Sequence, residues 1–431
     1  MTQVISYPAA PGSPVATGIT VSIGGVPVAV QVSGRLHFAT VSAEGPCEVV
    51  ISCDQPYGAV VVRPLHDGVP AQGDGRTLRL TVARPRTLYV DFSGRPPLAL
   101  TIEPLETWAP GPGDPSVIHF APGMHHAGEI VLASHQTLYV DGGAWVHGWV
   151  RSHDAKHPAI RGRGVLDGSS LPPHSRQLVV FDGCSDVQVE GITTVNTPSW
   201  NLVFGGCDRV HAAHLKLIGW VVTSDGIDVV GSRDVLIEDC FLRNNDDCVA
   251  IKAVDYQKRS PGQSNRWESD VERVVVRRCL CYNDHAGNAL EIGFETRTAS
   301  ISDITFDDLD IIGAHGEGGV FTIHNGDRAV VSRVLYRNIR VEHFYDRFID
   351  LRVLRSRYSK DEGRGTIRDI RFQDIQSVAD QFNTPSLIGG FDADHPIRDV
   401  SFVNLRMGDQ HVTHPDQLHL FTMHVQGLTF S

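Results

Sequence analysis

The six residues VLIEDC, at positions 235–240, are one copy of a short apolar pattern that repeats along the chain. A copy has a β-branched or apolar residue, any residue, an apolar or small residue, any two residues, and a last apolar residue. Successive copies begin 23, 25, 39, 30, 30, 36 and 30 residues apart. The eight copies are VQVEGI (187–192), VHAAHL (210–215), VLIEDC (235–240), VVVRRC (274–279), ITFDDL (304–309), VLYRNI (334–339), IRFQDI (370–375) and VSFVNL (400–405).

This repeat has strand chemistry and no helical period, so one unit cannot bury its apolar face alone. Stacking each unit on the next buries a continuous core, which predicts an all-β fold built as a parallel β-helix. The alternative is an all-β barrel with irregular loops. The two longest intervals predict protruding loops after Lys252 and Leu354. Protruding loops of a solenoid usually gather on its binding face.

The chain before the repeat has short alternating strands separated by Gly, Pro and Asp, as in CEVVISC (47–53). This spacing predicts an N-terminal antiparallel β-sandwich over residues 1–108. Residues 109–116 are rich in Pro and Gly and are predicted as the linker. Residues 117–431 then form the β-helix domain.

Composition excludes several classes of partner. The chain has 38 Lys and Arg against 50 Asp and Glu, a net charge of −12, which argues against nucleic acid and anionic membranes. The N-terminus shows no signal peptide, and no stretch has the ~20 apolar residues that span a bilayer, so we expect a cytoplasmic protein. A homo-oligomer stays possible.

The eight cysteines show no CxxC pair and no metal-ligand spacing. We therefore expect buried, reduced thiols. Cys47 and Cys53 are the pair to test for a disulfide, and Cys240 and Cys279 occupy the last apolar position of their repeat copies, which predicts a place in the core.

The stretch RNNDDCVAIK (243–252) places two carboxylates side by side, and Asp225 lies 21 residues before Asp246. If successive coils stack about 4.8 Å apart, Asp225 lies on the coil next to Asp246 and Asp247. Crowded carboxylates raise each other's cost of ionisation, so at least one should hold a proton near neutral pH. Glycoside hydrolysis needs such a division between acid and base. The spacing alone equally allows an aspartate ladder that caps turns or holds Ca²⁺.

Several motifs resemble the polygalacturonases of glycoside hydrolase family 28. They are NTPSWNLVF (196–204), TSDGIDV (223–229), NNDDCVAIK (244–252), GNALEIG (287–293) and, more weakly, IRGRGVLDG (160–168). The resemblance implies a right-handed parallel β-helix and hydrolysis with inversion at the anomeric carbon. It also implies that Asp246 is the general acid and that Asp225 and Asp247 activate water. We expect no cofactor and no metal ion.

The chain departs from the family pattern at three places. The family's Asn before the first aspartate is Thr223, and its histidine falls on Asn288, with His285 three residues earlier as a candidate replacement. The family's cationic element aligns with GVFTIHN (319–325), which has no Arg or Lys. A sugar carboxylate would be unpaired in a site without cations, which is costly.

A second resemblance bears on the substrate. The β-sandwich and ALEIGFETR (289–297) are similar to the family 49 dextranases and isopullulanases, which act on neutral α-glucans. We therefore rank a neutral or mixed glycan slightly ahead of polygalacturonate.

Polar and aromatic residues on the coils around the aspartates are predicted to bind the sugar, although each could instead be a solvated or core residue. Trp200 could stack on a sugar face, and Lys252 could pair with a carboxylate or hold a hydroxyl. The predicted substrate-binding residues are Trp200, Lys252, His285, Asn288, Glu291, Arg297, His324 and Asn325.

The sequence thus predicts an inverting glycoside hydrolase that cleaves an α-linked oligo- or polysaccharide, in exo fashion. One alternative is a polysaccharide lyase on the same fold, with the aspartates binding Ca²⁺. Another is a non-catalytic glycan-binding β-helix.

Overall fold

The computed structural model describes residues 3–111, 113–255, 266–380 and 382–431. Two sheets at the N-terminus, of six and five strands, precede a large sheet system that winds as a right-handed parallel β-helix. The predicted fold class is confirmed. Among the described residues no helix is long and apolar enough to cross a membrane.

The N-terminal domain is a β-sandwich. One sheet has the order β1-β5-β11-β10-β7, with β4 beside β5, and the other has the order β3-β2-β6-β9-β8. All pairs are antiparallel except β5 and β11, which run parallel. The strands are β1 (Val4–Ser6), β2 (Ile19–Ile23), β3 (Val26–Val28), β4 (Gln31–Ser33), β5 (Leu36–Ala43), β6 (Cys47–Cys53), β7 (Val60–Arg63), β8 (Ala71–Gly73), β9 (Thr77–Val82), β10 (Arg86–Phe92) and β11 (Leu98–Glu103), with a 3₁₀ helix at Leu65–Asp67.

The β-helix contains the remaining strands and a second 3₁₀ helix at Pro415–Leu418. The strands are β12 (Val117–Phe120), β13 (Gly123–Leu132), β14 (Thr137–Val140), β15 (Ala144–His153), β16 (Ala159–Gly162), β17 (Val165–Asp167), β18 (Val179–Asp182), β19 (Ser185–Glu190), β20 (Thr193–Val195), β21 (Leu202–Gly205), β22 (Asp208–Ala213), β23 (Lys216–Ile218), β24 (Ile227–Val230), β25 (Arg233–Glu238), β26 (Phe241–Asn244), β27 (Val249–Asp255), β28 (Arg266–Trp267), β29 (Val271–Arg277), β30 (Leu280–Asn283), β31 (Leu290–Thr296), β32 (Ser300–Ala314), β33 (Gly319–Asn325), β34 (Val330–Val341), β35 (Arg347–Val353), β36 (Thr366–Ser377), β37 (Ser386–Gly389), β38 (Ile397–Met407), β39 (Gln410–His411), β40 (Leu420–Met423) and β41 (Val425–Phe430).

Each coil contributes to three parallel faces. The repeat face runs β19-β22-β25-β29-β32-β34-β36-β38-β41, and the site face runs β18-β21-β24-β27-β31-β33-β35-β37. The middle face runs β17-β20-β23-β26-β30 and continues in the second halves of β32, β34, β36 and β38. The eight repeat copies lie in register on the repeat face. Their first residues pair in one row, in the order Val187, Val210, Val235, Val274, Ile304, Val334, Ile370 and Val400.

The aspartates that precede many copies mark corners of the coil. Asp186, Asp234 and Asp303 have φ values of 58°, 55° and 59°. Asp and Asn tolerate this left-handed conformation better than most residues with a Cβ. The corner carboxylates also pair with an arginine one coil on, as Asp234 does with Arg273 at 2.6 Å.

The third residue of the later copies builds an aromatic stack inside the β-helix. Neighbouring rings lie 4.8–5.1 Å apart and nearly parallel, in the order Phe306, Tyr336, Phe372, Phe402 and Phe430. Cys240 and Cys279 lie in the same core, as predicted, and all eight cysteines, Cys47 and Cys53 included, are buried free thiols.

Replacing Phe372 with Ala should lower the free energy of unfolding by about 3–5 kcal/mol, because the cavity would lie between two aromatic rings held by adjacent coils. Phe372 is 1% exposed and each neighbouring ring is 4.8 Å away. Urea unfolding of the variant measures the loss. The exposed Gln376→Ala is the control, with an expected change below about 0.5 kcal/mol. A loss below about 1 kcal/mol for Phe372→Ala would contradict a packed stack.

The β-sandwich packs on the middle face of the β-helix. Leu36, Phe38 and Tyr89 form an apolar cluster with Phe241 and Leu280. Ion pairs border this cluster at both ends: Glu103 with Lys216 and Arg163, Arg63 with Glu342, and His66 with Asp310 at 2.9 Å.

Candidate active site

The candidate site is a cavity of 440 Å³ where the chain leaves the middle face and enters the site face. Asp225 lies between β23 and β24, and Asp246 and Asp247 lie between β26 and β27. All three line the cavity, as the coil spacing predicts. Thr223 lies at its edge, with its hydroxyl 2.9 Å from His174 Nδ1.

Asp225 is held by a buried lysine. Lys252 Nζ donates to Asp225 Oδ2 at 2.8 Å and lies 2.9 Å from Asp228 Oδ1. The same ammonium lies 4.1 Å from the ring centroid of Trp200, a cation–π distance. Asp225, Asp228 and Lys252 are all nearly excluded from solvent. One lysine therefore contacts two buried carboxyl groups, where the low effective dielectric constant strengthens each charge interaction.

Asp246 and Asp247 differ in how they are held. Burial, and then the charges of Asp225 and Asp247, raise the pKa of Asp246 well above its usual range. Burial also raises the pKa of Asp247, followed by the charges of Asp225 and Glu291. Asp247 Oδ1 accepts from the backbone N–H of Asn288 at 2.7 Å and from its side-chain amide at 3.0 Å. Both carboxyls therefore keep a proton to higher pH than an ordinary aspartic acid does, and Asp247 is the one fixed by two donors of Asn288.

Two rows of charged residues run along the outer surface of the site face. Register places Asp228, Glu291 and Asp350 in one row, the acid row. Two residues further along the strands, Lys252, His324 and Arg352 form the cation row. Neighbouring members pair across the rows: His324 Nδ1 lies 3.0 Å from Glu291, and Arg352 donates to Asp350 at 2.8 Å.

His324 contacts two members of the acid row, Glu291 and Asp350, and one aromatic ring. Its ring lies 4.2 Å from that of Phe294, at an interplanar angle of 6°. Burial by itself lowers the pKa of His324, but the charge of Glu291 and hydrogen bonds with Asp350 and Glu291 raise it to about 9. The imidazole is therefore charged at neutral pH.

This raised pKa predicts a pH-dependent stability. Since the folded-state pKa lies above the unfolded value of about 6.5, the stabilisation is complete below pH ~6.5 and is lost as pH rises through about 9. Over that window wild type should lose about 3 kcal/mol more unfolding free energy than His324→Gln does. Unfolding measured from pH 6 to 10 tests it, with the exposed His411→Gln as control. A fall of equal size in His324→Gln would contradict the assignment.

The arginines of the cavity come from outside the segment that aligns with the family's cationic element. Residues 319–325 have no Arg or Lys, but Arg347, Arg352 and Arg357 line the cavity from the next coil and its loop. Arg352 and Arg347 have acidic neighbours, whereas no carboxylate of the described residues pairs with Arg357. The Arg357 guanidinium lies instead 4.8 Å from the Tyr358 ring centroid.

The structure brings some predicted binding residues to the cavity and not others. Trp200, Lys252, Asn288 and His324 line it together with the three aspartates. Four predicted residues do not line the cavity. His285 is exposed at the surface, and Glu291 is fully buried. Arg297 pairs with Glu268 and Asp361, and buried Asn325 is hydrogen-bonded to Thr296.

Sequence reasoning missed several residues of the site. Asp228, three residues after Asp225, could have been found from the strand alternation of TSDGIDV, which directs it to the same outer surface as Lys252. The wall residues Arg352 and Asp350 repeat the spacing of His324 and Thr322 one coil later. The others are Phe294, Glu295, Glu317, Arg347, Arg357 and Tyr358.

The fold and these motifs are those of a known family of β-helix proteins. The sequence model for Glycosyl hydrolases family 28 matches residues 149–413, more than half of the chain. The chain therefore belongs to glycoside hydrolase family 28. A probable polygalacturonase of Arabidopsis thaliana is 23% identical over 263 residues, covering 59% of this chain and 52% of the relative. An exopolygalacturonase of Rhizopus delemar is 21% identical, covering 65% and 71%.

Solved structures agree on the fold. Dex49A from Penicillium minioluteum superposes with a TM-score of 0.66 at 13% identity, covering 99% of this chain and 97% of that chain. A hyperthermoactive exopolygalacturonase from Thermotoga maritima gives 0.52 at 17% identity, covering 73% and 83%. The likeness to family 28 with features of family 49 is confirmed. The chain spans 52% of the Arabidopsis relative and 41% of a polygalacturonase of Juniperus ashei.

Proposed function

We propose that the protein is an inverting, exo-acting glycoside hydrolase that cleaves an α-linked oligo- or polysaccharide. The observation that carries the proposal is the pairing of unlike carboxyls in one cavity. The raised pKa of Asp246 suits an acid that protonates the glycosidic oxygen. Asp225, bound to Lys252, suits a base that activates water.

In this mechanism the proton of Asp246 passes to the leaving oxygen as the bond to the anomeric carbon lengthens. A water on the opposite side of the ring gives its proton to Asp225 and attacks that carbon. Asp247, fixed by two donors from Asn288, accepts a hydrogen bond from the same water. Trp200 offers part of its ring as an apolar wall beside Lys252.

Exo action is supported by the loop between β35 and β36. The loop brings Arg357 and Tyr358 to the cavity wall, and Tyr358 packs against Phe294 at 5.5 Å. Buried Asp327 fixes the loop by accepting from the backbone N–H groups of Lys360 and Asp361 at 2.6 and 2.8 Å. A fixed loop at the cavity wall limits the room for a longer chain, which favours removal of terminal units. The first predicted loop, after Lys252, falls largely on residues 256–265, outside the described residues.

The charges of the cavity support a mixed glycan as substrate. Glu295, Glu317 and Asp350 line the cavity together with the arginines, so a chain with a carboxylate on every ring would meet repulsion as well as attraction. Arg357 is the cation best placed to receive one acidic ring. The polygalacturonase relatives are named for an acidic glycan, which supports at least one uronic acid unit.

The test is a panel of purified oligosaccharides: galacturonate oligomers, neutral α-glucan oligomers and oligomers that alternate neutral and acidic units. Product anomers are followed by NMR during the first turnovers, and product length by chromatography. We expect inverted monosaccharide or disaccharide products, fastest with the mixed oligomers. Retention of configuration overturns the mechanism, an unsaturated product supports the lyase, and binding without turnover supports the non-catalytic glycan-binding protein.

A further inference from the structure

We propose that Asp228 is a positioning residue for the catalytic base: its carboxylic acid donates a hydrogen bond to Asp225 and, with Lys252, fixes the orientation of that carboxylate. The inference rests on the proposed function, because it assigns Asp225 the role of base. Asp228 does not line the cavity and therefore acts only through Asp225.

Asp228 lies in a fully buried position, where its carboxyl group is stable only as a neutral donor or beside a cation. Its residue is 0% exposed, and its strand neighbours in register are Val203 and Ala250, which offer no polar group. The titratable groups that face it are Lys252, at 2.9 Å, and Asp225, whose carboxylate contacts the same ammonium at 2.8 Å. Neither carboxyl oxygen of Asp228 accepts a hydrogen bond from the described residues. A hydrogen bond between two carboxyls requires a proton on one of them.

The charge count decides which carboxyl holds that proton. Lys252 is the one cation in contact with Asp225 and Asp228 among the described residues, and it lies closer to Asp225. Burial, followed by the charge of Asp225, raises the pKa of Asp228 well above its usual range. A neutral Asp228 leaves Lys252 and Asp225 as a balanced pair, which avoids two buried charges against one.

Lys252 and Asp228 together fix the orientation of the Asp225 carboxylate. Lys252 holds Asp225 Oδ2, and the proton of Asp228 restrains the same carboxylate from beneath. Asp225 then cannot rotate away from the cavity, and its charge is stabilised by two donors at once. This restraint favours a single orientation toward the attacking water.

Three variants test the proposal. Asp228→Asn keeps the shape, the neutral charge and a donor, so kcat should stay within about 3-fold of wild type. Asp228→Ala removes the donor, so kcat should fall about 10- to 100-fold while KM changes less than about 3-fold. Its acidic limb in the pH profile of kcat should move up by about one pH unit. Asp182→Asn is the control, since Asp182 is a buried carboxyl of the same face that bonds Trp267 at 2.7 Å.

The outcomes separate a positioning role from a structural one. If Asp228→Ala lowers only the unfolding temperature and keeps the wild-type pH profile, as Asp182→Asn should, the proposal is overturned. It is also overturned if Asp228→Asn loses as much kcat as Asp228→Ala while remaining folded. Asp246→Asn is assayed alongside: full activity there defeats the proposed function itself, whereas its inactivity together with an unchanged Asp228→Ala defeats only this inference.

Discussion

Asp246→Asn should lower kcat about 10²- to 10⁴-fold on natural oligosaccharides, because the asparagine cannot supply a proton to the leaving oxygen. The change is isosteric, so KM should stay within a few-fold of wild type. Asp246 is half-buried at the cavity wall, and its raised pKa keeps the proton available at neutral pH. Steady-state kinetics on the best oligosaccharide measures the effect.

A leaving-group series sharpens this prediction. An aryl glycoside with an acidic phenol departs without protonation, so Asp246→Asn should recover most of its activity on such a substrate. Asp284→Asn is the matched control, since Asp284 pairs with Arg243 outside the cavity and should leave both activities unchanged. Equal losses on activated and natural substrates would refute the assignment of Asp246 as the acid.

Asp225→Asn should also lower kcat about 10²- to 10⁴-fold, but equally on natural and activated substrates, because water activation is needed for both. The variant removes the carboxylate that accepts from Lys252 at 2.8 Å. Rates on the same two substrates measure it.

The contrast between the two variants is the decisive result. If the activity of Asp225→Asn recovered on the aryl glycoside, Asp225 would be the acid and Asp246 the base. A far-ultraviolet spectrum and an unfolding curve check that Asp225→Asn is folded, because Lys252 keeps Asp228 as a partner in its absence.

The sequence predicts the β-helix well because its signal is local and repeated. Each copy carries its own apolar positions. Because the eight copies align residue by residue on one face, few other ways of stacking the coils are possible. The same regularity predicts the aspartate cluster, since Asp225 and Asp246 lie 21 residues apart on adjacent coils. The motif resemblance then assigns the roles that spacing leaves open.

The wall of the cavity could not be predicted in the same way. Arg357 and Tyr358 come from a loop without a repeat, whose path depends on Asp327 one coil earlier. Glu291 and His324 have the same predicted role, and register places both on the outer surface of the site face. Only His324 lines the cavity, because Glu291 is completely covered by its neighbours. Pairing across the two charged rows exists only once the coils are stacked.

The β-sandwich braces one part of the β-helix and leaves another unsupported. Its ion pairs reach from Arg163 to Glu342, so the coils that carry the three aspartates lie between attachment points on both sides. The strand with Arg347 and Arg352, and the loop with Arg357, follow the last of these attachment points. Because a solenoid coil depends only on its immediate neighbours, the arginine-bearing coils form a replaceable segment. Under the proposed function, substrate preference can therefore diverge there while the three aspartates stay unchanged.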